Sequence, residues 1–338
     1  MEFLSEYGLF LAKSATFVVV VAIIIGLIAS VGQKAKPEKL TVEHLNDKLD
    51  KLKKQLQSEV LTKKQLKELA KKEKTEAKAK EKSLEVKEKV YVLNFNGDIK
   101  ASQSEHLKDE ITALLSLNDH IDEVVVKVES GGGMVHQYGY AASQLDRIKS
   151  QGIPLTICVD KVAASGGYMM AVVADKIIAA PFAIIGSIGV IAQLPNFNKL
   201  LKKHDVDFEV HTAGEYKRTL TLFGENTDKA REKFKEDLKD VHVLFKNFIS
   251  SHRDNINLDE VANGDVWYGQ DAIKQSLIDE VSTSDDYLLS RCQTADVYLL
   301  KSEEKKPLLK RLGASAQEGI STSIEKTIEK LAFTKWYL

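Results

Sequence analysis

The sequence predicts an α/β fold with a parallel sheet, because apolar runs of strand length alternate with helical segments between about Val90 and Val281. Apolar residues occupy consecutive positions in these runs, as is typical of strands that are covered on both faces. Two glycine-rich turns directly follow two of the runs, and ligands in open α/β sheets bind at that carboxyl edge. We therefore expect a domain whose functional site lies at the carboxyl edge of its sheet.

Composition narrows the class of protein. The chain has 338 residues, of which 43% are apolar and 29% charged, and it contains five prolines. These values exclude wholesale disorder, a collagen-like chain and a polytopic membrane protein. A formal net charge of −1 supplies no overall field that would attract nucleic acid, so no nucleic-acid partner is expected. Cys158 and Cys292 are too few for a disulfide scaffold, and we interpret them as core thiols, with a single bridge left open.

The first region, residues 1–32, predicts a membrane anchor. Residues 8–31 carry one charge, Lys13, and match the roughly 20 apolar residues that cross a bilayer. A cleaved signal peptide is the alternative, but its apolar stretch spans only about 7–15 residues and follows a basic segment. The start of this chain holds Glu2 and Glu6 with a single lysine, so a retained single-pass anchor is favoured.

The second region, residues 33–89, predicts a charged helical spacer. Four leucines with 4-3-4 spacing form the seam of an amphipathic or coiled-coil helix suited to self-association, and lysine and glutamate dominate the rest. A continuous helix of about 50 residues would extend some 75 Å, but composition favours a solvated, partly frayed spacer for the lysine-rich half. The leucines are Leu45, Leu49, Leu52 and Leu56.

The third region, residues 90–290, carries the β-α-β-α pattern of the expected domain. Residues 179–194 are apolar enough for a second membrane span, but a proline and two glycines favour buried strand and loop. Residues 291–338 are expected to form a tail with an amphipathic helix at 321–336. Strands are expected at VYVLNF, EVVVKV, PLTICV, KIIAA, GVIAQ and FEVHT, and helices from Ser102 (with a capping-box pattern to Glu105), Val135, Ser165 and Asp228.

The two glycine-rich turns are candidate sites for acyl transfer. Residues 131–133 are three consecutive glycines, whose backbone N–H groups can approach a ligand without obstruction. Ser165 begins a helix among small residues, so its hydroxyl and the following N–H, from Gly166, can face the same space as a nucleophile and an oxyanion donor. Taken alone, the glycine turn is better explained as a tight strand-to-helix connection and Ser165 as an ordinary N-cap.

A nucleophilic serine also needs a base, and the residues alone do not identify one. No histidine occurs between Ser165 and Lys203. The nearest histidines, His136, His204 and His211, have no evident carboxylate partner and are interpreted as surface or structural residues. Periodicity does not distinguish Lys217 from the other lysines.

Three segments nevertheless resemble the core of the SppA signal peptide peptidase family, and the anchor and spacer resemble its membrane-bound SohB branch. The segments are VDKVAASGGYMMAVVADKIIAAPFAIIGSIGV, HTAGEYKRTLTLFGENT and NGDVWYGQDAIKQSLIDEV. The resemblance implies a ClpP/crotonase-like superfold and a serine endopeptidase of the bacterial inner membrane. It also implies that the enzyme cleaves peptides, such as released signal peptides, without a metal or cofactor and as a ring-shaped homo-oligomer.

The resemblance also implies roles for individual residues. Ser165 matches the family nucleophile, Lys217 the general-base lysine, and Ser187 the serine that positions this lysine. Gly132 and Gly166 match the backbone donors of the oxyanion hole.

The chain departs from the family pattern in two places. Where the family often has Asn-Ser-Pro-Gly-Gly, this chain has Glu-Ser-Gly-Gly-Gly at 129–133, and the loss of the proline makes the turn less rigid. Ser276 stands where a glycine is common.

Three other functions compete with the peptidase. A Clp-like Ser-His-Asp protease needs a histidine about two dozen residues after the serine, where this chain has none. A crotonase-type acyl-CoA enzyme shares the superfold but needs neither an anchor nor a serine–lysine pair. A catalytically silent membrane scaffold, built by coiled-coil or stomatin-like assembly, is the third. Lysines at 34, 36 and 39 favour a cytoplasmic domain by the positive-inside rule, whereas the family resemblance favours the periplasmic face.

Overall fold

The computed structural model describes residues 13–14, 16–17, 39–82, 87–117 and 120–303. Residues Thr41–Ser302 form one compact unit. A second unit, Met1–Leu40 with Glu303–Leu338, contains few described residues. The fold below therefore concerns the first unit and the strands at its boundaries.

The described strands join in one mostly parallel sheet. Its main path has the order β1-β10-β2-β3-β4-β6-β9, and neighbours from β10 to β9 run parallel. The strands are β1 Lys39–His44, β2 Glu88–Gly97, β3 Glu123–Ser130, β4 Leu155–Val159, β5 Val162–Ala164, β6 Lys176–Ala179, β7 Ile184–Gly186, β8 Val266–Tyr268, β9 Glu280–Val281 and β10 Ala295–Glu303.

Helices connect these strands as in an α/β domain. The described helices are α1 Leu45–Val60, α2 Lys63–Lys82, α3 Ser104–Leu115, α4 Val135–Lys149, α5 Gly166–Ala171, α6 Asn198–Lys203, α7 Asp228–His252, α8 Leu258–Val261, α9 Gly269–Ala272 and α10 Ser284–Thr294.

The sheet branches at the end of β3. The body of β3 pairs with β4, but its last residue, Ser130, pairs with Ala163 of β5. Strand β5 then pairs in parallel with β7, and β7 pairs antiparallel with β8. Strands β5, β7 and β8 therefore lie off the main path of the sheet.

The core lies on both faces of the sheet, because successive side chains of each strand point to opposite sides. On β2, Leu93 and Phe95 belong to the larger cluster, together with residues of α3, α4, α5 and α7. Val90 and Val92 belong to the smaller cluster, which is covered by α10. Double-sided burial explains the consecutive apolar residues in the sequence.

The strong predicted elements are confirmed. Strands occur at VYVLNF, EVVVKV, PLTICV and KIIAA, α4 begins at Val135, and α7 spans Asp228–His252 as expected. Residues 179–194 contain β6's last residue, β7 and loop, not a membrane helix. The predicted capping box fails, because Ser102 donates its backbone N–H (2.8 Å) and hydroxyl (2.6 Å) to the Asp98 carboxylate instead.

Two predicted strands are wrong. GVIAQ and FEVHT have no strand structure, and most of their residues are exposed. Their apolar residues imitate a strand pattern, but the sheet offers them no partner. Ile191, for example, is 78% exposed.

The continuous spacer helix is also wrong. Residues 39–44 form β1, and the helical part is interrupted between α1 and α2. At the interruption Thr62 and Gln65 form a reciprocal cap, in which the Thr62 N–H donates to Gln65 Oε1 (3.0 Å) and the Gln65 N–H donates to Thr62 Oγ1 (3.4 Å). This cap starts a new helix and breaks the expected 50-residue rod.

The compact unit includes residues on both sides of the domain expected at residues 90–290. Asn46 holds the start of α1 to the end of the fold: its amide donates to the carbonyls of Cys292 and Ala295 (both 2.9 Å) and accepts the Val297 N–H (2.8 Å). Residues 295–303, expected as part of a tail, form β10 between β1 and β2. The first part of the spacer is thus built into the sheet.

Other expectations fall largely or wholly outside the described residues. Of the predicted anchor at 8–31, only residues 13–14 and 16–17 are described, and the helix expected at 321–336 lies outside as well. No helix within the described ranges is long and apolar enough to span a bilayer.

Both cysteines are free thiols. Cys158 is buried in the smaller core cluster, and burial raises its pKa to about 12. Cys292 is half-buried against the same cluster, and burial raises its pKa too. The interpretation as core thiols agrees with these positions.

We predict that Asn46→Ala lowers the free energy of unfolding by about 1–3 kcal/mol, because it leaves two carbonyls and one N–H without partners. Gln55→Ala, at an exposed position of the same helix, is the matched control and should change stability by less than about 0.5 kcal/mol. Urea denaturation of the purified chain measures both. Equal effects of the two variants would show that Asn46 does not hold α1 to the fold.

Candidate active site

Three strand ends meet at the carboxyl edge of the branch. Register places Ser130 of β3 beside Ala163 of β5, and Ala164 of β5 beside Gly186 of β7. The residues that follow these ends are Gly131, Ser165 and Ser187. Loops after adjacent parallel strands therefore converge where ligands bind in α/β sheets.

Ser165 adopts an uncommon backbone conformation at the junction of β5 and α5. Its φ is 52° and its ψ is −118°, a region that non-glycine residues rarely adopt and that costs about 1–3 kcal/mol. Its N–H donates to the Gly186 carbonyl (2.8 Å), and its carbonyl accepts from the Met169 N–H (2.9 Å). Its hydroxyl caps no backbone group of α5. The side chain lies at the cleft described below, so the ordinary N-cap explanation for this serine does not hold.

Gly132 and Gly166 lie against each other beside Ser165. A Cβ atom built on Gly132 would lie 2.6 Å from the Gly166 nitrogen and 2.8 Å from Ser165 Cβ, and the Gly132 φ of +89° favours glycine. Within the described residues, the Gly166 N–H has no hydrogen-bond partner. Both predicted oxyanion donors therefore lie beside Ser165, the predicted nucleophile.

The N–H of Gly132, however, is already engaged. It donates to Ser130 Oγ (3.1 Å), a side chain that the sequence did not suggest. Gly133 is the residue of the same turn that lines the cleft at Ser165. For Gly132 to serve an oxyanion, its N–H must be shared between two acceptors or leave Ser130.

Ser187 follows the third strand end. Like Ser165 it has a φ of 52°, and its N–H donates to the Asp265 carbonyl (2.7 Å). The Trp267 ring packs against Gly186, where a Cβ atom would lie 2.7 Å from the ring. The motif NGDVWYG therefore supports the backbone that carries Ser187, although sequence reasoning used it only for the family resemblance.

Lys217 is not brought to this cleft in the single chain. Its side chain is exposed, its N–H donates to the Gly214 carbonyl (3.2 Å), and it is absent from the residues that line the cleft. The neighbouring Glu215 is paired with Lys229 (2.6 Å) and so does not hold Lys217. The predicted base is therefore not among the residues that line the cleft with the predicted nucleophile.

The three histidines considered as bases do not reach the cleft. His136, His204 and His211 are exposed, and none lines it. His211 does have a carboxylate neighbour, Glu209 (3.0 Å), but both side chains are largely in solvent. Their interpretation as surface residues agrees with these positions.

The cleft at Ser165 is apolar and has an empty volume of about 260 Å³. Met169 of α5 and Phe245 of α7, which are 8% and 4% exposed, belong to its lining, so α7 contributes to the site. The sequence predicted a helix at α7 but not this role. The lining residues are Gly133, Val135, Ser165, Gly166, Met169, Gly189, Val190, Val241 and Phe245.

The described residues offer no metal site. Across them, no group of three or more His, Cys, Asp or Glu side chains lies close enough to hold an ion.

Two family profiles match the chain. Peptidase family S49 N-terminal matches residues 2–145, and peptidase family S49 matches residues 147–298. Together they include nearly all residues from 2 to 298, and so all residues of the cleft.

Two relatives cover nearly the whole chain. A protein of Haemophilus influenzae named "Probable protease SohB" is 46% identical over 96% of both chains. One of the same name from Buchnera aphidicola subsp. Acyrthosiphon pisum is 43% identical over the full length of both. A solved mutant of the 1510-N membrane-bound stomatin-specific protease is 18% identical, with a TM-score of 0.40, over 61% of this chain and 86% of its own. The expected resemblance to the SppA family and its SohB branch is thus confirmed.

We predict that Gly132→Ala slows labelling of Ser165 by a fluorophosphonate by at least about 10-fold. The new Cβ atom would overlap Gly166 and Ser165, and alanine disfavours a φ of +89°. Gly139→Ala in α4 is the control, because nothing lies within 4 Å of its Cβ position, and it should be labelled like the wild type. Equal labelling of both variants would remove Gly132 from the site.

Proposed function

The chain belongs to peptidase family S49, and from this membership we propose that it is a membrane-anchored serine endopeptidase that uses Ser165 and Lys217 as a catalytic dyad. The finer assignment to the ClpP/crotonase-like superfold is part of the same proposal. Family membership favours a peptidase over the crotonase-type enzyme that the sequence left open. The catalytically silent scaffold is the alternative that the tests below would favour if the wild type shows no hydrolysis and no labelling.

One observation carries the proposal: Ser165 is held in a strained conformation at the mouth of an apolar cleft, beside the N–H of Gly166, which has no partner among the described residues. A nucleophile at a sharp strand-to-helix turn, with the next N–H beside it, is the arrangement that acyl transfer requires. Such strain persists only when the surrounding structure holds it, and here the bond to Gly186 does so.

The proposed reaction has two halves. The neutral amine of Lys217 takes the proton of Ser165 as Oγ attacks the peptide carbonyl, and the N–H groups of Gly166 and Gly132 stabilise the tetrahedral oxyanion. The resulting ammonium returns the proton to the leaving amine, which releases the first product and leaves an acyl-enzyme. Water, deprotonated by the same amine, then hydrolyses the ester and restores Ser165. Ser187 would orient the amine by accepting its hydrogen bond.

We propose that Lys217 acts on the Ser165 of a neighbouring subunit in a ring. A lysine amine is neutral near pH 7 only when it is desolvated, whereas Lys217 is exposed in the single chain. The segment around it exposes a large apolar surface that a second copy would cover. Its exposed apolar residues are Ile191, Leu194, Phe197, Leu200, Val206, Phe208, Val210, Tyr216, Leu222 and Phe223.

The substrates are proposed to be apolar peptides near the bacterial inner membrane, including released signal peptides. Val135, Val190 and Val241 line the cleft with Met169 and Phe245, and no charged side chain is among the lining residues. Apolar side chains of a substrate would bury their surface there at about 25 cal/mol per Å².

The anchor at residues 8–31 would keep the site beside the membrane as a single-pass helix. Lysines at 34, 36 and 39 support a cytoplasmic domain. A reporter that is active only in the periplasm, fused to the C-terminus, tests the orientation.

We predict that Ser165→Ala and Lys217→Met each reduce hydrolysis of an apolar fluorogenic peptide by at least about 10³-fold, because each removes one half of the dyad. Methionine keeps most of the length of the lysine side chain without its amine. Ser143→Ala and Lys67→Met, which change exposed residues outside the cleft and outside the segment around Lys217, are the controls and should retain wild-type turnover. Near-normal activity of either dyad variant would refute the mechanism, and an inactive, unlabelled wild type would favour the scaffold.

We further predict that mixing restores activity. Assemblies that combine Ser165→Ala subunits with Lys217→Met subunits should regain a measurable part of the wild-type turnover, because some interfaces then pair an intact serine with an intact lysine. Co-expression with two affinity tags and tandem purification ensures that the assemblies are mixed. If such assemblies stay as inactive as either parent, the dyad lies within one subunit.

A further inference from the structure

Beneath the glycine turn, two buried hydroxyl groups form a chain of hydrogen bonds. Ser130 and Tyr138 are 2% and 0% exposed, and their oxygens are 2.6 Å apart. Ser130 Oγ accepts the Gly132 N–H (3.1 Å), and Tyr138 Oη donates to the Asp98 carbonyl (2.7 Å). We call these four residues the relay.

The direction of every proton in the relay follows from chemistry. A carbonyl oxygen only accepts, so the one phenolic proton of Tyr138 goes to Asp98. The proton between the two hydroxyls must then come from Ser130, which leaves a lone pair of Ser130 Oγ for the Gly132 N–H. Each hydroxyl accepts one bond and donates one, and such chains polarise their members.

Tyr138 also touches the other side of the oxyanion site. A Cβ atom built on Gly166 would overlap Cβ and Cγ of the Tyr138 side chain. One built on Gly97 would overlap the Tyr138 hydroxyl. Phe95 fixes the ring by an edge contact, with centroids 6.2 Å apart. One rigid side chain thus contacts both Ser130, which accepts the Gly132 N–H, and the backbone of Gly166.

We propose that Ser130 and Tyr138 are positioning residues for the oxyanion site, which rests on the proposed serine-peptidase function. Three consecutive glycines have more backbone freedom than any other tripeptide, so the turn at 131–133 does not hold its own geometry. The relay fixes the middle glycine to the core, its N–H being shared between Ser130 Oγ and the oxyanion during turnover, and the Tyr138 side chain packs against Gly166. Oxyanion donors act only when they are already in place, so this tether contributes to turnover and not only to stability.

The test compares Ser130→Ala, Tyr138→Phe and the double variant in the full-length, detergent-solubilised protein. Tyr138→Phe keeps the ring and removes only the hydroxyl. We expect each single variant to lower kcat for the apolar fluorogenic peptide about 10-fold with KM changed by less than about twofold, because the turn loses its anchor while the apolar cleft is unaltered. Since the relay acts as one unit, the double variant should be no slower than the slower single variant.

Two equally buried hydroxyl groups outside the relay supply matched controls. Tyr168 Oη donates to the Leu277 carbonyl (2.9 Å), and Ser104 Oγ donates to the Ala101 carbonyl (2.6 Å). Tyr168→Phe and Ser104→Ala should lose similar thermal stability but keep kcat within about twofold of the wild type.

Three results would overturn the relay as a positioning device. The first is an unchanged kcat in the relay variants with stability losses like those of the controls, and the second is a gain in kcat. The third is a double variant whose loss is the product of the single losses. A wild type that neither turns over the peptide nor reacts with a fluorophosphonate at Ser165 would refute the serine-peptidase function itself, which separates the two failures.

Discussion

The position of the candidate nucleophile depends on one hydrogen bond, from the Ser165 N–H to the Gly186 carbonyl (2.8 Å). This bond extends the β5–β7 ladder by one residue beyond its last pair, so Ser165 cannot relax to an ordinary helical start. It also fixes Ser187 beside Ser165, because Gly186 immediately precedes Ser187. The branch at Ser130 brings the glycine turn to the same place. The candidate site is thus a product of strand register, and any change that shifts β7 against β5 must move Ser165.

The sequence predicts the fold well wherever burial and local signals agree. Strands β2, β3 and β4 are buried on both faces, and α7 begins at a capping threonine, Thr227, whose hydroxyl accepts the Ala230 N–H (3.2 Å). The prediction fails where the structure depends on hydrogen-bond or strand partners that the local sequence pattern does not reveal. Ser102 donates hydrogen bonds to Asp98 and does not form the predicted cap with Glu105. The segment GVIAQ pairs with no strand. The first part of the spacer joins the sheet through contacts of Asn46 with residues about 250 positions away, which no local pattern reveals.

The candidate site was predictable in type but not in detail. Glycine turns after apolar strands indicated an oxyanion site, and family motifs identified Ser165 among ordinary N-caps. Sequence reasoning missed Ser130, since a serine at the end of a strand has no pattern that distinguishes a buried tether from a surface hydroxyl. It missed Phe245 for a similar reason, because an amphipathic helix reveals which face is buried but not which cavity that face lines.

Lys217 differs from the other site residues in the kind of interaction that would fix it. Ser165, Gly166 and the glycine turn are held by backbone ladders and short contacts, which form within one chain. A desolvated amine needs its surroundings to be covered over several ångströms in every direction, and the segment at 189–227 is too exposed to supply that cover alone. Its apolar side chains would lose much of their exposed surface against a second copy, and the gain from that burial would offset the cost of desolvating the amine. The same contact would then bury the interface and complete the catalytic pair.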